Sequence, residues 1–225
     1  MNVRLVSYSQ PTLEFSDLGI SDAQELIAYC ARVSNPSNQY NTETSEKLIG
    51  YLVKHAHWSP LEMVSVCVEI TTTRDIARQI LRHRSFSFQE FSQRYADPTK
   101  DLDFVLREAR LQDAKNRQNS VDLDLTDPEQ LILNETWKRK QQDVITAAKE
   151  AYTWAVNNGI AKEQARSVLP EGNIESRLYV SGTLRSWIHY IELRASNGTQ
   201  KEHREIAQAC AEVISKIFPM ISNTL

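Results

Sequence analysis

The chain has 225 residues, 41% hydrophobic and 24% charged, with a formal charge of -3. That size and mix describe a soluble globular chain with a sizeable core, and the near-neutral charge excludes a coat protein holding nucleic acid through many phosphate contacts. No apolar run approaches the roughly 18 residues of a membrane span, and Cys30, Cys67 and Cys210, odd in number and far apart, exclude a disulfide framework or a CxxC metal knuckle.

Taken in chain order, residues 3–7 alternate weakly and predict a first strand rather than a signal peptide. Ser21 or Asp22 can cap a helix running to about Val33, and residues 34–38 read as loop. A second helix starts near Thr44 or Ser45, carries Leu48, Ile49, Leu52 and Val53 on one face, and ends before His57-Trp58-Ser59-Pro60. Residues 61–70 form the best predicted strand, with Val64, Val66, Val68 and Ile70 on one phase. A helix over 75–82 follows, in which Gln79 and Arg82, three apart, can point the same way.

The segment from Arg82 to Tyr95 then reads as a loop, and Asp97-Pro98 as a break. Residues 104–106 are expected to be a strand and 112–126 a mobile polar stretch. Asp127, Pro128 and Gln130 have the spacing of a helix start, and the helical pattern runs to Asn157-Asn158-Gly159. A short helix over 160–169 stopped by Pro170, a strand over 174–180, and helices over 182–194 and 199–218 complete the chain. No repeat or domain boundary is evident, so residues 1–225 are expected to be a single domain.

Arg82, Arg84 and Arg94 cluster in one short segment of a mildly acidic chain, and Arg166, Arg185 and Arg194 recur later. Guanidinium forks suit bidentate anion binding; the alternative is pairing with carboxylates such as Glu90 or Glu192. Phe86, Phe88, Phe91 and Tyr95 interleave with the arginines. They can stack on single-stranded nucleic acid or pack beneath the loop, and the net charge favours packing. No GxGxxG or GxxxxGK is present, so no Rossmann crevice or phosphate loop is expected. The histidines lack zinc-site spacing, and no metal is expected.

Arg82-His83-Arg84, seven residues, then Ser92 and Arg94 match the signature of the flavin-dependent thymidylate synthases, which the chain resembles. The resemblance extends to Ala31-Arg32-Val33-Ser34, His57-Trp58-Ser59-Pro60-Leu61-Glu62, Arg78-Gln79, Ala165 through Pro170, and Leu193-Arg194. It implies an α/β fold, α+β-like, with a central mixed sheet and surrounding helices. It implies dUMP methylation to dTMP, with 5,10-methylenetetrahydrofolate as carbon donor, FAD as the hydride-bearing cofactor and NADPH as reductant. A cytoplasmic homotetramer with active sites shared between subunits is implied, with neither nucleic acid nor membrane as partner.

By the same resemblance, dUMP is held by Gln79, Arg82, Glu90, Ser92, Arg94, Tyr95, Arg166 and Arg194. FAD is contacted by His57, Ser59, Arg82, His83, Arg84, Glu90, Arg185 and His189. Arg194, Ser92 and His57 are the catalytic candidates: Arg194 polarises the uracil ring, Ser92 binds, and His57 stacks near the flavin. The three cysteines lie outside the signature segments, and no protein nucleophile is expected. Two departures stand out: Met63 where many members have histidine, and the turn Asn197-Gly198-Thr199-Gln200.

Overall fold

The computed structural model describes residues 1–219; residues 220–225 of the expected domain lie outside that range. In chain order the elements are β1 (Asn2–Tyr8), α1 (Leu13–Asp17), α2 (Ala23–Ala31), α3 (Ser45–Lys54), β2 (Ser65–Thr73), α4 (Arg74–Ile80), β3 (Ser87–Glu90), α5 (Pro98–Asp101), β4 (Arg110–Gln112), β5 (Ser120–Asp122), α6 (Pro128–Asn157), α7 (Lys162–Ala165), β6 (Glu175–Thr183), α8 (Leu184–Arg194) and α9 (Lys201–Ser215). Alternation in β2 sets the architecture. Val66, Val68 and Ile70 are fully buried, and their neighbours in β6, Leu178 and Val180, join them. On the other face Arg4 pairs with Glu69 at 2.8 Å. Tyr179 lies across the strands from Glu69, and Gln89 lies across from Tyr179. The sheet thus has one apolar and one polar face.

The strand order is β1-β2-β6-β3. All three pairings are antiparallel, which corrects the expectation of a mixed sheet. Parallel strands require cover on both faces, whereas antiparallel strands tolerate one solvated face, as this alternation demands. The α+β class with surrounding helices holds. The helices α4, α8 and α9, with α2 and α3, contribute to one core against the apolar face. Trp187 is anchored there by an indole N–H donated to the Val66 carbonyl at 3.0 Å.

β2 and β6 pair along their whole length, from Ser65 opposite Thr183 to Thr73 opposite Glu175. Each strand ends in a threonine that begins a helix, Thr73 for α4 and Thr183 for α8. The two helices therefore leave the paired strands at opposite ends. This structural repetition was not visible as a sequence repeat.

Several boundaries moved. Residues 59–62, partly assigned to the strand, form a 3-10 turn that Pro60 initiates, and β2 instead continues through Thr71–Thr73 because those residues pair with β6. β3 was read as loop. It is a four-residue edge strand made by pairing with β6, without a pattern of its own. Phe104 forms only a single bridge to Ile174. Part of the polar stretch expected to be mobile is β5, paired with β4. The C-terminal part of the segment over 160–169 tightens into a 3-10 turn at Arg166–Val168. The start of α6 is as read: Asp127 accepts the Glu129 backbone N–H at 2.9 Å and the Gln130 amide at 3.0 Å.

Gly182 lets the Phe86 ring pack directly against β6. A methyl group there would overlap that ring, within 2.7 Å of its Cε1. Gly50, inside α3, has open space around its missing side chain. Gly182→Ala is expected to lose about 1–3 kcal/mol of stability through overpacking, while Gly50→Ala gains up to about 1 kcal/mol from helix propensity. Urea unfolding of the two variants checks both signs.

Candidate active site

The signature begins where α4 ends. After Ile80 the chain turns through Arg82-His83-Arg84, becomes β3 at the sheet edge, and turns again at Ser92 and Arg94. Arg82 and Arg84 are exposed and have no ion-pair partner among the described residues. His83 lies between them, half-buried. The Nε of Arg194, from the end of α8, donates to His83 Nε2 at 2.9 Å. That bond joins the signature to Arg194 and fixes the His83 proton on Nδ1. The His83 ring meets Tyr190 edge-on, with centroids 4.9 Å apart.

Burial, and then the charges of Arg194 and Arg82, lower the His83 pKa to about 4. The imidazole is neutral at physiological pH, as an acceptor facing a guanidinium must be. Gln79 lies on the same side: its amide donates to Gln200 at 2.8 Å, and its oxygen contacts His203 at 3.2 Å. His203 is fully buried, and burial, with Arg194 and His83, lowers its pKa to about 3.

A second cluster forms along α8. His189 is exposed and meets Trp58 edge-on at 4.5 Å. Arg185 pairs with Glu62 at 2.7 Å. These contacts bring Trp58 and Glu62 against α8, and with them the turn that carries His57 and Ser59. Ala56 takes a left-handed backbone, φ 56°, immediately before His57. A non-glycine residue in that region carries strain of the kind that collects at binding turns. His57 is exposed beside Tyr51, their centroids 6.1 Å apart.

A third cluster follows β3. Arg94 pairs with Glu163 at 3.4 Å, and Arg166 Nε donates to the Glu163 carbonyl at 3.3 Å. Tyr95 is 84% exposed and accepts Lys162 at its carbonyl at 3.0 Å. The hydroxyl of Ser92 accepts the Arg94 N–H at 3.4 Å, and among the described residues no base hydrogen-bonds to it. Glu90 is engaged elsewhere: it accepts Ser176 Oγ at 2.7 Å and faces Arg74 at 3.5 Å. The carboxylate pairings that sequence offered for the arginines are thus redistributed, with Arg194 on a histidine and Glu90 on Arg74.

Sequence reading missed Gln200 and His203 as neighbours of Gln79, and Glu202 and Tyr190 behind them. The available signal was Gln200 and His203 three apart where a helix begins. Phe86, one of the interleaved aromatics, is buried, with Trp187 at 4.7 Å. The packing reading holds for it.

The residues fit a flavin. Exposed Arg82 and Arg84 without carboxylate partners suit a diphosphate, and the ring edges of His189 and Trp58 beside exposed His57 suit an apolar heterocycle. Among the described residues no group of three or more His, Cys, Asp or Glu could hold a metal ion.

Residues 18–220 match the family described as thymidylate synthase complementing protein. The chain is 48% identical over 226 residues to a probable flavin-dependent thymidylate synthase of Paramecium bursaria Chlorella virus 1, covering 100% of this chain and 99% of that protein. It is 47% identical over 225 residues to the flavin-dependent thymidylate synthase of Synechocystis sp., with the same coverage. The fold is similar to that of a UMP/dUMP methylase from Streptomyces cacaoi, with TM-score 0.75 and 24% identity over 99% of this chain and 93% of that one.

Both imidazoles are held below their ordinary value of 6.5, so the unfolded chain binds protons that the folded chain refuses. Their contribution is fully present above the unfolded value and is lost as pH falls toward about 4 for His83 and about 3 for His203. Urea midpoints are expected to drop between pH 6.5 and about 5, above the main carboxylate range. The slope should be shallower in His83→Gln. A midpoint flat across that interval would show the imidazoles are not held neutral.

Proposed function

The chain belongs to the flavin-dependent thymidylate synthase family, and from that premise we propose that it reductively methylates dUMP to dTMP with 5,10-methylenetetrahydrofolate as carbon donor. The observation that carries this reading is identity along the whole chain to two relatives of that name, with the signature arginines, His83 and Ser92 all present. When bound, FAD reduced by NADPH would supply the hydride.

In this reading the chain's own groups bind, orient and stabilise charge. Arg194 is turned by its Nε–H bond to His83, which leaves its two terminal amino groups for the uracil carbonyls. A preorganised cation there stabilises the negative charge that develops on the ring. Neutral His83 acts as the orienting acceptor for Arg194. Gln79, Arg82, Glu90, Ser92, Arg94, Tyr95 and Arg166 complete the nucleotide site, while His57, Ser59, Arg84, Arg185 and His189, with Arg82 and Glu90, hold the flavin. Arg194, Ser92 and His57 stand closest to the chemistry.

The thiols support a reaction without a protein nucleophile. Burial raises the pKa of Cys30, Cys67 and, most strongly, the fully buried Cys210. Thiolate is the reactive form, so these groups are poorly suited to attack.

A homotetramer with shared sites accounts for two further features. The Gln79–His83–Arg194 and Arg94–Arg166 clusters are not joined by any hydrogen bond or ion pair among the described residues. In addition, α6 exposes Ile132, Trp137, Val144 and Trp154, and an apolar hollow of about 660 Å³ lies beside Trp154, Ile160 and Val168. A patch of this kind is ordinarily covered by another subunit. Residues 1–225 act as one catalytic domain in the cytoplasm; among the described residues no helix is long and apolar enough to cross a membrane.

The test is a visible spectrum of the purified protein with NADPH, with and without dUMP, followed by anaerobic methylenetetrahydrofolate. Bleaching of bound flavin and dTMP formation are expected. A protein that takes up neither FAD nor dUMP would end this reading. Arg194→Ala should lower turnover about 10²–10³-fold, the scale of losing one charge-stabilising donor, while flavin is retained. Arg82→Ala should weaken both flavin and dUMP binding, and an unchanged dUMP affinity would contradict its shared role.

A further inference from the structure

Gln79 stands in a line of hydrogen bonds that crosses three helices and ends on an ion pair. Arg110, in β4, donates to Glu202 Oε1 at 2.5 Å. Gln200 Nε2 donates to Glu202 Oε2 at 2.9 Å. Gln79 Nε2 donates to Gln200 Oε1 at 2.8 Å. His203 Nδ1 lies 3.2 Å from Gln79 Oε1, and His203 Nε2 lies 3.1 Å from the Tyr190 hydroxyl.

The direction of every bond follows from one end. Burial by itself would raise the pKa of the Glu202 carboxyl, but hydrogen bonds from Arg110, the backbone and Gln200 bring it below the ordinary value. Ionised, it only accepts. Gln200 must therefore turn its NH2 to Glu202 and its oxygen to Gln79. Gln79 must turn its NH2 to Gln200 and its oxygen to His203. His203 is neutral and carries one proton, which must sit on Nδ1; the Tyr190 hydroxyl then donates to Nε2. Reversing the Gln200 amide would set its oxygen against the carboxylate, and reversing the Gln79 amide would set its oxygen against that of Gln200. Gln79 Nε2 keeps a second N–H that no described residue accepts.

We propose that Glu202 and His203 are positioning residues that hold the Gln79 amide in one orientation, so that Gln79 offers the substrate a donor and selects a nucleotide oxygen, carbonyl or phosphate, at that point. The proposal rests on the reading of Gln79 as a dUMP ligand. It adds a specificity mechanism: a freely turning amide would offer donor or acceptor alike, and the carboxylate removes that choice from a distance. It also gives the β4–β5 hairpin a role. Arg110 holds Glu202 in place, while Lys201 ties α9 to Glu108 at 2.6 Å and to Asp122 at 3.1 Å.

Four variants of the full-length, FAD-loaded protein test it: Glu202→Gln, His203→Leu, His203→Asn and Gln79→Ala. Dissociation constants for dUMP, retained flavin absorbance and Tm are measured for each. A remote core variant of matched Tm, Ile27→Val, controls for simple loss of stability. Glu202→Gln is nearly isosteric but can donate, so it frees the amide line to reverse. His203→Leu removes the Nδ1 donor, whereas His203→Asn restores a donor at that place.

The expected result is about tenfold weaker dUMP binding in Glu202→Gln and His203→Leu, the scale of one mispaired polar contact. Flavin should be retained, His203→Asn should recover most of the affinity, and Ile27→Val should bind dUMP normally. If Gln79→Ala weakens binding but Glu202→Gln and His203→Leu do not, positioning is refuted and Gln79 remains a ligand. The proposal also falls if Ile27→Val weakens binding equally, or if Gln79→Ala binds as wild type. Failure of the wild-type protein to bind dUMP would instead refute the proposed function itself.

Discussion

The antiparallel pairing of β2 with β6 is the constraint on which the rest depends. Nine residues of each strand are paired without interruption. The pairing buries Val66, Val68 and Ile70 beside Leu178 and Val180, and closes one side of the core. Because the strands run in opposite directions, their following helices start from opposite ends. That places the end of α4 and the end of α8 where His83 and Arg194 meet. A register slip of one residue would turn the apolar set to solvent and separate these helices. Phe86, seated on Gly182, secures the turn between α4 and β3 to the same pair of strands.

Electrostatics in the site follow from that placement. Burial disfavours a charged imidazole here, and the neighbouring arginines add to the effect. His83 and His203 are therefore neutral rings inside a cationic site. Neutral imidazole carries one donor and one acceptor, so each ring can orient a neighbour on either side. His83 uses its acceptor on Arg194, and His203 links Tyr190 to Gln79. Within the signature segment, the exposed Arg82 and Arg84 lack carboxylate partners among the described residues, and that is what an anionic ligand requires. Arginines with structural work are paired, as Arg107 is with Asp75 at 2.6 Å and Arg78 is with Glu171.

Most of the helices were legible because each has a strong local cause. The start of α6 is specified by Asp127, Pro128 and Gln130, and its end by Gly159 with φ 79°. The phase of β2 was legible from its valines. β3 and the β4–β5 hairpin were not, because three or four residues hold no periodic signal and exist only through a partner. Short α1 was missed for a related reason: none of its residues is buried, so no face is marked.

The sequence by itself determined the composition of the site: which arginines, histidines and amides are present, in a spacing specific enough to identify the family. Local physics also determined the caps and the apolar faces, since those depend on residues within a few positions of each other. Tertiary structure alone decided who meets whom. His83 and Arg194 are 111 residues apart, and Gln79 and His203 are 124 apart. Such contacts arise from the register of a sheet and the packing of helices on it. A hydrogen bond over that separation is decided by the shape of the core, which no local pattern encodes.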